Sequence, residues 1–157
     1  MDDGTARRSG YDCVMQDFHK LRAWSEASNL AIKIRRLTSR FPKSDYGTLR
    51  NQMIRAAESI ADNIAEGCGA ATAAEFARYL DMAIKSSSEL ESQIDRCRDY
   101  GLTRDREHQD LAIQVCDVRK MTWGLRKKVL ASPQRPRHGQ RSTENGLRVG
   151  EHKTNNG

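Results

Sequence analysis

From Phe18 to Val129 apolar residues recur every three to four positions, the spacing that turns one face of an α-helix toward a core. No stretch alternates residue by residue, so no strand is predicted and the fold class is all-α. Turn signals at about 41–45, 67–71 and 101–103 divide the pattern into four helices. The first is predicted over 18–40, with Leu30, Ile34, Leu37 and Phe41 on its stripe and Leu21, Trp24 and Ala31 widening it. Pro42 disfavours helical geometry at Phe41, and Ser44 or Asp45 is placed to cap a second helix over 45–67. The third helix opens on Thr72-Ala73-Ala74-Glu75, a capping box. It repeats Phe76, Leu80, Ala83, Ser87, Leu90, Ile94 and Cys97 until Gly101, a predicted C-terminal cap. The fourth carries Leu111, Val115, Val118, Thr122, Leu125 and Val129 and stops before Pro133. Such seams joined by short loops predict an antiparallel up-down four-helix bundle.

The second helix carries two adjoining apolar stripes: Leu49, Met53, Ala56 and Ile60 on one, Ile54, Ala57, Ala61 and Ile64 on the other. A helix this widely apolar packs on more than one side, so it is either the central core helix of its own bundle or one whose second stripe is the contact with another subunit. Asn63 falls on the apolar side, where its amide needs hydrogen-bond partners and fixes helix register. Glu58, Asp62 and Glu66, spaced four apart, form one carboxylate line off the main stripe, as a solvated or salt-bridged face does.

Composition sets the limits of the bundle. Residues 133–157 hold two prolines, four glycines and only Leu147 and Val149 as aliphatics, too little apolar surface to offset ordering entropy, so a disordered basic tail is expected there. Residues 1–16 read as a second flexible segment, leaving 17–132 for the bundle. Of the net charge of +6, the tail carries +3 and the first 16 residues −1, which leaves +4 for the body. An excess of this sign suits a polyanionic partner. Cys13, Cys68, Cys97 and Cys116 are scattered without a C-x-x-C pair, which predicts reduced thiols rather than a disulfide framework or a zinc site. With no apolar run of membrane-spanning length and no leader, a cytoplasmic protein without membrane contact is expected.

Catalytic chemistry finds little to stand on. Di-metal bundles need Glu-x-x-His pairs aimed into the core, and the chain offers only Asp105-x-x-His108. "GCGAATAAE" sets glycines before a helix N-terminus but lacks the lysine of a phosphate loop and a preceding strand, so it reads as a tight corner between helices. Cys68 has no histidine near it in sequence. No metal, cofactor or enzymatic activity is expected.

"DFHKLRAW" at 17–24, "RFPKSDYGTLRNQMIRAAESIADNIAEG" at 40–67 and "EFARYLDMAIKSSSELESQI" at 75–94 resemble the four-helix bundle proteins encoded in intervening sequences of bacterial 23S ribosomal RNA genes. The most specific block is carried by Phe41, Pro42, Gln52, Arg55, Ala56, Ala57, Ser59, Ile60, Asn63, Ile64, Ala65, Glu66 and Gly67. The resemblance implies a homopentameric ring without established catalysis. A related branch, the accessory proteins of diversity-generating retroelements, implies association with reverse transcriptase and nucleic acid. Ala70 stands where a basic residue often follows the glycine, which weakens an anion-binding role for that corner.

Arg22, Lys33, Arg36 and Arg40 are predicted along one face of the first helix, with Lys43 beyond it and Arg50 and Arg55 on the second. These seven are the candidate nucleic-acid contacts. RNA is favoured, read by shape and charge, because aromatics do not intersperse the basic face. The alternative partner is a protein, a reverse transcriptase or ribosome-associated factor, with the bundle acting as a scaffold.

Overall fold

The computed structural model describes residues 17–131. The expectations for 1–16 and for the basic tail, with Cys13, lie outside the described residues. Within them a short 3₁₀ turn, Phe18–Lys20, precedes four α-helices: α1 (Arg22–Thr38), α2 (Gly47–Cys68), α3 (Ala73–Asp99) and α4 (Asp105–Ala131). There is no strand among the described residues.

Each helix packs on the next in chain order, and α4 closes onto α1. Two side-chain pairs bridge each of three of these four seams. Arg40 meets Glu107 and Lys33 meets Gln114 between α1 and α4, while Met53 faces Cys97 and Ser59 faces Ser86 between α2 and α3. Asp95 meets His108 and Asp81 meets Arg126 between α3 and α4. One shared core results, built from Leu30, Ile34, Met53, Ile60, Ile64, Leu80, Leu90, Ile94, Val115 and Val118, all fully buried.

The seven residues of the α3 seam read from sequence are all buried. On α4 the inward positions Leu111, Val115, Val118 and Thr122 are buried, and Leu125 and Val129 are partly so. Thr72 Oγ1 accepts from the Glu75 N–H at 3.1 Å, and the Glu75 carboxylate accepts from the Ala71 N–H at 2.8 Å, so the capping box closes one residue further back than its simplest form. At the other end of α3, Gly101 adopts φ 67°, the Leu102 N–H donates to the Cys97 carbonyl and the Gly101 N–H to that of Arg98. That pair of bonds is a Schellman cap.

Three boundaries differ from the sequence reading. The first helix begins at Arg22 rather than Phe18, because Leu21 is extended and Phe18 turns back to set its ring 4.9 Å from that of Trp24. Asp17 caps that turn by accepting from the His19 N–H, and the hydrogen bond with the His19 ring, followed by that backbone bond, lowers the carboxyl's pKa. The helix ends at Thr38, where the Arg40 and Phe41 N–H groups tighten onto the Leu37 and Thr38 carbonyls before Pro42. Neither Ser44 nor Asp45 caps α2: the Ser44 hydroxyl donates to Asp45, and Tyr46 takes the cap position in the left-handed region at φ 60°.

Candidate nucleic-acid interface

The seven predicted basic residues are spread over several places on the surface. Lys33, Arg36 and Arg40 line an open groove at the α1–α4 seam together with Leu37, Glu107, Asp110 and Leu111. Lys33 Nζ donates to Gln114 Oε1 at 2.8 Å and Arg40 is ion-paired to Glu107, which leaves Arg36 without an acidic partner among the described residues. Arg22 opens α1, at the opposite end of that helix from Arg40, in a second groove with Lys20, Met121 and Lys128. Arg55 sits on the exposed side of α2 beside Thr48, Asn51, Gln52 and Ile54. Arg50 is half-buried near the start of α2, and Lys43 is exposed in the α1–α2 turn. Sequence periodicity aligned cations along α1 but carried no information on Glu107 and Asp110, which come to the groove from residues almost 70 positions away in the chain.

The carboxylate line on α2 divides as well. Glu58 is ion-paired with Arg35 of α1, a cation the sequence reading did not select, while Asp62 and Glu66 are exposed with no ion pair among the described residues. Asn63 is 7% exposed, and its amide donates to the Ser59 carbonyl at 2.7 Å and to Ser59 Oγ at 2.9 Å. Ser59 in turn meets Ser86 Oγ at 3.0 Å, so the motif residues Ser59 and Asn63 form a polar bridge that keys α2 to α3. Its role is register, as a satisfied buried amide provides.

The proposed subunit stripe needs correction. Ala57, Ala61 and Ile64 are buried within the protomer, and Ile54 alone is partly exposed. Ile54 apart, both apolar stripes of α2 are consumed because the helix packs between α1 and α3, which a one-dimensional pattern cannot distinguish from an outward contact. Exposed large apolar side chains lie instead on Ile113, Trp123 and Leu130 of α4, on Ile32 of α1, on Met82 of α3 and on Tyr100 just after it.

The glycine-containing corner is steric. A Cβ on Gly67 would come within 2.6 Å of Phe76 Cε2 and 3.1 Å of the Tyr79 Cβ, so α2 and α3 meet there at a distance only glycine permits. Phe41 is buried beneath the turn that Pro42 opens. His108 Nε2 lies 2.8 Å from Asp95 Oδ1, tying α4 to α3. No group of three or more His, Cys, Asp or Glu that could hold a metal ion occurs among the described residues. Burial pushes the Cys68 and Cys97 thiols up to about 11, leaving both protonated at neutral pH. No helix of the described residues is long and apolar enough to cross a membrane.

Such a structure is a small all-α protein whose polar side chains tie helices together. Residues 19–124 match the 23S rRNA-intervening sequence protein family over more than half of the chain, and the chain belongs to that family. A solved structure of similar fold is a protein of unknown function from the S23 ribosomal protein family of Bacteroides thetaiotaomicron VPI-5482. It is 19% identical, with a TM-score of 0.63 over 67% of this chain and 98% of that one, a likeness of fold. No curated protein matches the chain.

Proposed function

We propose that this protein acts by binding rather than by catalysis, as an antiparallel up-down bundle that assembles into a homopentameric ring and holds RNA through basic surface. The opposed indices of the paired residues along three of the four seams support the alternation of helix direction. The observation that carries the binding reading is the groove of Lys33, Arg36 and Arg40, with Arg36 unneutralised, on a body whose net charge is +4. Each phosphate met by such a cation releases condensed counterions, and repetition around a ring multiplies a modest field.

Glu107 and Asp110 offset part of the groove's charge, so the contribution per protomer is small and the assembly matters. The test is the double variant Lys33→Glu, Arg36→Glu, with Arg40 kept because its pair with Glu107 joins α1 to α4. Binding of a structured RNA hairpin at low salt is expected to fall at least about tenfold, the scale of one or two lost phosphate contacts, with unchanged mass by light scattering. Wild-type affinity in that variant would refute the groove as the binding surface.

The exposed Ile113, Trp123 and Leu130 on α4 favour a second reading, a scaffold for a reverse transcriptase or ribosome-associated protein. Exposed aromatics and aliphatics of that kind suit protein contact better than phosphate. Size-exclusion chromatography with light scattering, read at two ultraviolet wavelengths, separates the readings: pentamer-sized particles carrying nucleic acid support the first, and nucleic-acid-free particles the second.

A further inference from the structure

The two helix junctions that the sequence places far apart, residues 39–46 between α1 and α2 and residues 100–104 between α3 and α4, meet at one end of the fold. Tyr46 and Tyr100 bring their rings there to a centroid distance of 5.7 Å, tilted by 34°. Tyr46 is half-buried and packs against the core, whereas Tyr100 remains 53% exposed. The exposed ring thus rests on an anchored one. Its position is further set by the Schellman cap immediately after it, where Gly101 and Leu102 return hydrogen bonds to the last turn of α3.

The same end carries most of the body's charge. Residues 39–50 and 96–107 hold seven Lys/Arg against four Asp/Glu, which is +3 of the body's +4. The opposite end, residues 17–27, 62–79 and 122–131, holds six against five, or +1. Arg40 and Arg98 are paired to Glu107 and Asp99, while Lys43, Arg50, Arg96, Arg104 and Arg106 stand without an ion-pair partner among the described residues. Sequence reading excluded base stacking because no aromatic interrupts the cations of α1, and it had no means to see an aromatic delivered from α3.

A basic surface alone fits duplex RNA, which is held by shape and phosphate contact, whereas a pre-placed aromatic ring among cations is the arrangement that takes an unpaired base while neighbouring phosphates are neutralised. We propose that this end of the fold binds single-stranded RNA, with Tyr100 stacking on an exposed base and Lys43, Arg50, Arg104 and Arg106 meeting the flanking phosphates. The inference rests on the RNA-binding reading above and deepens it by naming the class of RNA and the ring that selects it.

The test compares a fluorescein-labelled oligoadenylate with an RNA duplex of equal length, by anisotropy at fixed low salt. Tyr46 is left intact because of its left-handed backbone and its packing on the core. Tyr100→Ala is expected to weaken oligoadenylate binding by about 5- to 100-fold, the loss that removal of one stacked base gives, while duplex affinity stays within about twofold of wild type. Tyr100→Phe is expected to bind both as wild type does, since the ring and not the hydroxyl is required. Circular dichroism and thermal unfolding establish that Tyr100→Ala is folded. Equal affinity of Tyr100→Ala and wild type for oligoadenylate, or an equal loss for both ligands, would overturn the stacking site while leaving the charge-based reading in place. A wild-type protein that bound neither ligand would overturn both.

Discussion

Gly67 shows how one residue's lack of a side chain sets an inter-helix distance. Because the Phe76 ring is held in the core at 8% exposure, it cannot swing aside for a methyl group. Gly67→Ala is therefore expected to destabilise the protein by about 1–3 kcal/mol, the range of an overpacked core, read as a lowered urea midpoint with an unchanged slope. The buried thiols give a second prediction at this scale. Cys68 and Cys97 stay protonated to about 11 in the folded chain, whereas the unfolded thiol ionises near 9.0. Between those values the unfolded state binds fewer protons, so the thiols' contribution is complete below pH 9.0, declines as pH rises and is lost past about 11. Subtracting the urea profile of Cys68→Ala from that of wild type isolates this decline from other groups that titrate there. A pH-independent difference would mean that Cys68 is not desolvated.

At the scale of elements, local chemistry was most legible where a cap requires particular residue types. The start of α3 followed from Thr72 and Glu75, and its end from Gly101, because each satisfies backbone groups that the helix itself leaves open. Thr72→Ala is expected to cost about 0.5–2 kcal/mol, measured by thermal unfolding; no loss would mean that the carboxylate of Glu75 alone sustains the N-terminus. The start of α2 was not legible. Ser44 and Asp45 have capping side chains, yet they bond to one another, and the chain enters α2 through a left-handed tyrosine. That choice belongs to tertiary packing, since Tyr46 reaches the core and the ring of Tyr100 from that backbone position. The early start assigned to the first helix failed for a related reason: the contact of Phe18 with Trp24 holds an extended residue, Leu21, in between.

For the whole molecule, family membership and the four-helix fold agree with the sequence pattern, and the distribution of charge is the new element. Concentrating +3 of +4 at one end predicts that RNA affinity falls steeply with salt. Titrating hairpin affinity against salt concentration checks it: an affinity indifferent to salt would exclude phosphate neutralisation as the source of binding. Repeating the titration on a chain that ends at Ser132 assigns the slope to the bundle or to Arg135, Arg137 and Arg141. The candidate site was only partly legible. Cations such as Arg36 and Arg40 were visible singly, but Glu107, Gln114 and Tyr100, which complete or offset them, reach them only through the packing of α4 and α3.

The sequence by itself determined the helical class, the core stripes of α3 and α4, the caps of α3 and the family, because each depends on residue type at short spacing. Tertiary structure alone decided that the two stripes of α2, Ile54 apart, are spent inside the protomer, that α4 carries more of the exposed large apolar residues than any other helix, and that Tyr46 and Tyr100 share one basic end. Burial and proximity are properties of neighbours brought together by packing. Residues 54 positions apart in the chain, such as these two tyrosines, carry no local mark of the contact they make.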